Sequence, residues 1–151
     1  MKYSDFVFCA LELREVSSSW CVFCRKKQGG FVGYSALVRQ RSEGIRKRLL
    51  QFVIDDHEID EEPWPWGGEP IYRNGVFCGL TTSTAFGFGI DRHICLGYVH
   101  DYDPATGEAQ LLRINEYVNK EARFEINIAG RLYPARAYMY PIPLPPVVEG
   151  H

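Results

Sequence analysis

The sequence predicts a mainly β chain built around one domain, and three observations carry that prediction. Nine Tyr, nine Phe and three Trp among 151 residues are side chains that pack well on pleated sheets. Asn74-Gly75 separates two short apolar runs, and that dipeptide readily supplies the two positive φ angles of a type I′ hairpin turn. Phe124, Ile126 and Ile128 alternate with Glu125 and Asn127, the period of two expected of a half-buried strand. A chain of this length buries roughly two-thirds of its unfolded surface, enough for one apolar core.

Residues 1–28 keep no period of two or of 3.6 and stay unassigned. Residues 29–48 form a linker region around a short amphipathic helix: Leu37 and Val38 lie one turn from Tyr34, Arg39 to Glu43 is charged, and Gly44 supplies the stop. Residues 49–141 are assigned to a β-barrel domain. Its first strand is the apolar run Leu49 to Ile54, which gives way to Asp55-Asp56-His57-Glu58-Ile59-Asp60-Glu61, where five of seven side chains are carboxylates and a solvated loop is expected. Pro63-Trp64-Pro65-Trp66-Gly67-Gly68 fits neither a helix nor a central strand and reads as an ordered, aromatic-rich connection. Ile71–Arg73 and Val76–Cys78 are the arms of the Asn-Gly hairpin. Leu80–Phe86 and His93–His100 are two further strands, parted by a Gly87-Phe88-Gly89 turn. Ala129-Gly130 turns Phe124–Ile128 back into an extended Leu132–Tyr140, a closing hairpin. Residues 142–151 form a Pro-rich tail, and Pro141 to Pro146 reads as polyproline-like chain.

Seventeen basic and nineteen acidic side chains leave a charge of −2, too little field to gather nucleic acid or anionic lipid. No apolar run approaches the about 20 residues of a membrane span, and the N-terminus shows no signal or transit peptide. Five irregularly spaced cysteines suggest a reducing compartment rather than a disulfide framework.

The short motifs are weak when set against ordinary structural roles. Cys21 and Cys24 have zinc-ligand spacing, but no second Cys/His pair follows. Asp56, Glu58 and Asp60 alternate as in a calcium loop, yet Glu61 stands where that loop needs Gly and Gly67 where it needs a bidentate Glu. Gly87-x-Gly89 lacks the strand-to-helix setting of a phosphate loop. His93 and Cys95 share one face of a strand while His100 takes the other, so no metal site is expected. No nucleophile has a base and an orienting partner near it in sequence, and no catalytic residue is assigned. Trp64 and Trp66 are candidate partner contacts, since exposed tryptophans make binding anchors. Plugging one end of a barrel is the competing expectation and the favoured one.

Asp55-Asp56-His57, Trp64-Pro65-Trp66, Gly68 to Gly75, His93 to His100 and Phe124 to Gly130 together resemble the family that joins the pyruvate dehydrogenase phosphatase regulatory subunit, dimethylglycine and sarcosine dehydrogenases and the glycine-cleavage aminomethyltransferase. The resemblance runs in order from Phe31 to Tyr140, with Gly30 where the family usually has aspartate. It implies a C-terminal aminomethyltransferase-like β-barrel preceded by a short helix. It also implies a start that replaces the upstream flavin- and folate-binding regions, so FAD and tetrahydrofolate belong to domains outside this chain. The family's catalytic carboxylate and pterin-binding residues lie upstream and none is carried over. The implied role is non-catalytic modulation, in the mitochondrial matrix, of the phosphatase that reactivates pyruvate dehydrogenase, through its catalytic subunit. The alternative is the C-terminal barrel of a folate-dependent demethylating dehydrogenase or aminomethyltransferase.

Overall fold

The computed structural model describes residues 34–139 and 142. In chain order it contains α1 (Tyr34–Glu43), β1 (Lys47–Ile54), β2 (Pro70–Arg73), β3 (Val76–Gly87), β4 (Arg92–His100), α2 (Ile114–Tyr117), β5 (Phe124–Ile128) and β6 (Arg131–Tyr138). All strand pairs are antiparallel, in the order β1-β4-β3-β2-β5-β6, and β6 returns to β1 so that the sheet closes into a barrel. Closure gives every strand a hydrogen-bonded neighbour on each side.

The turns follow local chemistry. Asn74 and Gly75 have φ of 51° and 79°, and Arg73 pairs directly with Val76 across them, which is the expected two-residue turn. Ala129 and Gly130 repeat the device at φ 50° and 92° between β5 and β6. Gly44 leaves α1 at φ 84°, the left-handed exit that stops a helix.

Alternation decides which side chains enter the barrel. Leu50, Phe52 and Ile54 of β1, Cys95 and Val99 of β4, and Phe124, Ile126 and Ile128 of β5 are buried in one core with Ile71 and Tyr133. Phe52 meets Phe124 edge-on at 5.6 Å between ring centres. Between β4 and β5 the chain crosses one mouth of the barrel, where Leu112 and Tyr117 plug it and the Tyr117 hydroxyl donates to the His100 carbonyl at 2.7 Å.

Two expectations are corrected. Val76–Cys78 and Leu80–Phe86 are a single strand, β3, because an irregularity between Thr81 and Ser83 lets it bend and continue instead of ending. The first strand starts two residues before the apolar run, and it carries Arg48 to 2% exposure. The helix after Tyr34 is present, with Val38 50% exposed. Cys21, Cys24, the rest of residues 1–28, and the tail beyond Ile142 lie outside the described residues.

Candidate functional site

The mouth of the barrel opposite Tyr117 is closed by side chains from β3, β4, β6 and the long β1–β2 connection. His93, at the start of β4, is 2% exposed and is ringed by Trp64, Phe86 and His57, with ring centres at 4.9, 5.2 and 4.6 Å and edge-on geometry in each case. His57 also lies against Tyr133 at 5.0 Å.

Hydrogen bonding sets the tautomers of this pair. His57 Nε2 is 3.0 Å from the Pro63 carbonyl oxygen, which can only accept, so Nε2 carries the proton. Nδ1 of a neutral His57 is then an acceptor, and His93 Nδ1, 3.1 Å away, must donate to it. This leaves His93 Nε2 as a bare, buried lone pair without a partner. Protonating it would place an unpaired N–H in the interior, so burial, and then the neighbouring His57, hold the His93 pKa below the usual histidine value.

The Trp-Pro-Trp-Gly-Gly segment runs along β3 and is anchored at successive points. Thr84 Oγ1 donates to the Pro65 carbonyl at 2.6 Å, and the Gly68 N–H donates to the Thr81 carbonyl at 2.9 Å. The Glu69 carboxylate gathers the Trp66 N–H at 2.5 Å, the Gly67 N–H at 3.0 Å and the Thr81 hydroxyl. Partial burial would raise the Glu69 pKa, but these donors, Thr81 first, outweigh it and hold the carboxyl below its usual value. A backbone this well satisfied is ordered even though it lies on the surface.

The anchored segment presents its tryptophans differently. Trp64 is half exposed, donates from Nε1 to the Ile59 carbonyl at 2.8 Å and covers His93. It does contribute to plugging the mouth. Trp66 is 89% exposed, which corrects the packing expectation for that residue. Phe88, at the tip of the β3–β4 turn, is 86% exposed and touches Phe86 at 5.1 Å, and Phe86 in turn faces Trp64 at 6.5 Å. Trp66 and Phe88 are thus exposed aromatic rings at the two flanks of a packed His57/His93/Trp64/Phe86 corner. Beside them lies the acidic loop, where Asp55 is clamped by Arg136 through two bonds of 2.8 Å and Glu62 pairs with Arg131.

The other sequence candidates separate as their strand positions require. His93 and Cys95 point inward and His100 does not, and no group of three or more potential metal ligands exists among the described residues. Burial pushes the Cys78 and Cys95 thiols up to about 11 and about 12, so both are inert packing groups. Gly87 ends β3 and leads into the turn, as read from the sequence. His57, Glu69 and Phe88 fall inside segments that the sequence marks out, but the sequence assigns none of them a role of its own. His93 and Thr81, which His57 and Glu69 meet, are remote in sequence, so no local pattern marks these contacts.

Fold and site together define a small antiparallel barrel domain with a side-chain-filled interior, whose distinctive chemistry lies on its outer rim. The family described as the glycine cleavage T-protein C-terminal barrel domain matches residues 47–142, and the chain belongs to that family. It is 46% identical over 112 residues to the mitochondrial pyruvate dehydrogenase phosphatase regulatory subunit of Mus musculus, covering 74% of this chain and 12% of that protein. It is 36% identical to the mitochondrial sarcosine dehydrogenase of Homo sapiens, covering 72% and 11%. To the mitochondrial dimethylglycine dehydrogenase of Mus musculus it is 27% identical, covering 78% and 12%. The chain therefore spans about an eighth of the length of these relatives. The resemblance and fold class expected from the sequence are both borne out.

Proposed function

We propose that this chain is a non-catalytic interaction module of a pyruvate dehydrogenase phosphatase regulator, modulating the phosphatase catalytic subunit in the mitochondrial matrix. The observation that carries this reading is the 46% identity to the mouse regulatory subunit across most of the barrel. The filled interior and the two inert inward thiols favour a role exercised on the surface, with Trp64 and Trp66 as the first contacts to examine. The test is capture of the purified phosphatase catalytic subunit by the full chain. Retention that falls when Trp64 and Trp66 are both changed to Ala supports the reading, and no retention by the parent chain refutes it.

The likeness to sarcosine and dimethylglycine dehydrogenases favours a second reading, in which the barrel helps close a folate site supplied by another domain. FAD belongs to other domains in both readings, and only the second has the barrel contribute contacts to tetrahydrofolate. Calorimetric titration with tetrahydrofolate separates the two, because micromolar binding by this chain alone favours the second.

A further inference from the structure

Aromatic rings are rarely left in water when a fold can cover them, and here two are held out by a rigid support. Trp66 is 89% exposed and Phe88 86% exposed, yet the backbone N–H groups of Trp66 and Gly67 are fixed by Glu69, and Phe88 is braced by Phe86. A fixed backbone at Trp66 and the ring contact at Phe88 reduce the ordering entropy lost on association.

The acidic loop shows what kind of surface covers these anchors. Of its six carboxylates, Asp55 and Glu62 are neutralised by Arg136 and Arg131. The remaining four, Asp56, Glu58, Asp60 and Glu61, are exposed and have no ion-pair partner among the described residues. The loop adjoins the aromatic corner through the Trp64 to Ile59 and His57 to Pro63 bonds. Arg92, four positions after Phe88, donates to the backbone carbonyl of Asp91 at 2.8 Å. Four unpaired like charges within six positions repel one another and attract a cationic surface.

We infer that Trp66, Phe88 and the loop carboxylates Asp56, Glu58, Asp60 and Glu61 form one docking ridge for a basic protein surface with apolar pockets. The inference rests on the proposed function and specifies its partner contact: the face of the phosphatase catalytic subunit that meets this barrel is lysine- and arginine-rich. Electrostatics sets the rate of encounter and the aromatic rings set the lifetime of the complex.

The test measures association and dissociation rates of the full chain with the phosphatase catalytic subunit at 50 and 500 mM salt. The variant D56N/E58Q/D60N/E61Q is expected to associate about tenfold more slowly at 50 mM and within about twofold of the parent at 500 mM, where screening is nearly complete. Trp66→Ala and Phe88→Ala are each expected to raise the dissociation rate about tenfold with little change in association. The control E108Q/E116Q, at the other mouth of the barrel, is expected to match the parent. Because all of these positions are exposed, unchanged melting curves accompany each variant. If the parent binds but the loop variant keeps its rates, or the control slows it equally, the ridge is overturned while the proposed function stands. If the parent does not bind, both fall.

Discussion

Changing Glu69 to Gln tests whether the tryptophan segment is held as the geometry requires. The carboxylate accepts from the Trp66 N–H at 2.5 Å, the Gly67 N–H at 3.0 Å on each oxygen, and the Thr81 hydroxyl. Glutamine keeps the shape but offers one oxygen and one NH2 group, so at least one donor faces another donor and the rest lose charge assistance. Hydrogen bonds to a charged group contribute about 1.5–3 kcal/mol each and neutral ones about 1 kcal/mol. With the site partly exposed and the loss discounted for solvent, about 2 kcal/mol of destabilisation is expected. For a domain of this size that is roughly a 10 °C fall in Tm. Scanning calorimetry at pH 7 reads it directly.

The same variant has a pH signature. Glu69 is held below its usual value of 4.5 in the folded chain, so its contribution is present above 4.5 and is lost as pH falls through the folded value. The gap between parent and E69Q should therefore narrow on acidification below pH 4.5, since the variant has no proton to take up. A fall of less than about 2 °C at neutral pH, against a scale of roughly 4–8 °C per kcal/mol, would refute the reasoning. So would a gap that stays constant into acid.

Other perturbations probe the barrel itself. A methyl group at Gly79 would sit 1.9 Å from the Tyr98 carbonyl oxygen and 2.9 Å from its carbon, and neither backbone atom can yield without parting β3 from β4, so Gly79→Ala is expected to abolish the cooperative unfolding transition in urea. Gly75→Ala meets nothing within 4 Å but must hold φ at 79°, and only about 1 kcal/mol is expected to be lost. Phe52→Ala empties a position of 0% exposure against Phe124 and is expected to cost about 3–5 kcal/mol by the same urea measurement. His93 is depressed from 6.5 by burial and by His57. Its contribution is thus complete above pH 6.5 and lost as pH falls through the folded value, and urea titrations from pH 7.5 to 5 should show a slope that His93→Phe flattens.

The relation between sequence and site is clearest in particular residues. Asn74-Gly75, Ala129-Gly130 and Gly44 were legible because a positive φ is a local demand that few residues meet. The inward set Phe124, Ile126 and Ile128 was legible because a strand alternates whatever its neighbour is. The Trp64-Pro65-Trp66 segment was recognisable as an ordered connection, but its two rings look equivalent in sequence. Only Glu69 and β3 direct one onto His93 and leave the other in solvent.

By itself, then, the sequence determined the β class, the turns and the faces of individual strands, since each of these depends on residues within one turn or one strand of each other, and it determined the family through several such motifs in order. Tertiary structure alone decided that β1 pairs with β4 and β6, that His57 meets His93 across 36 positions, and that β3 continues through its irregularity to bring Phe86 against Trp64 and His93. Strand registry and ring closure are set by packing between segments remote along the chain, and no local pattern records which remote segment a strand will find.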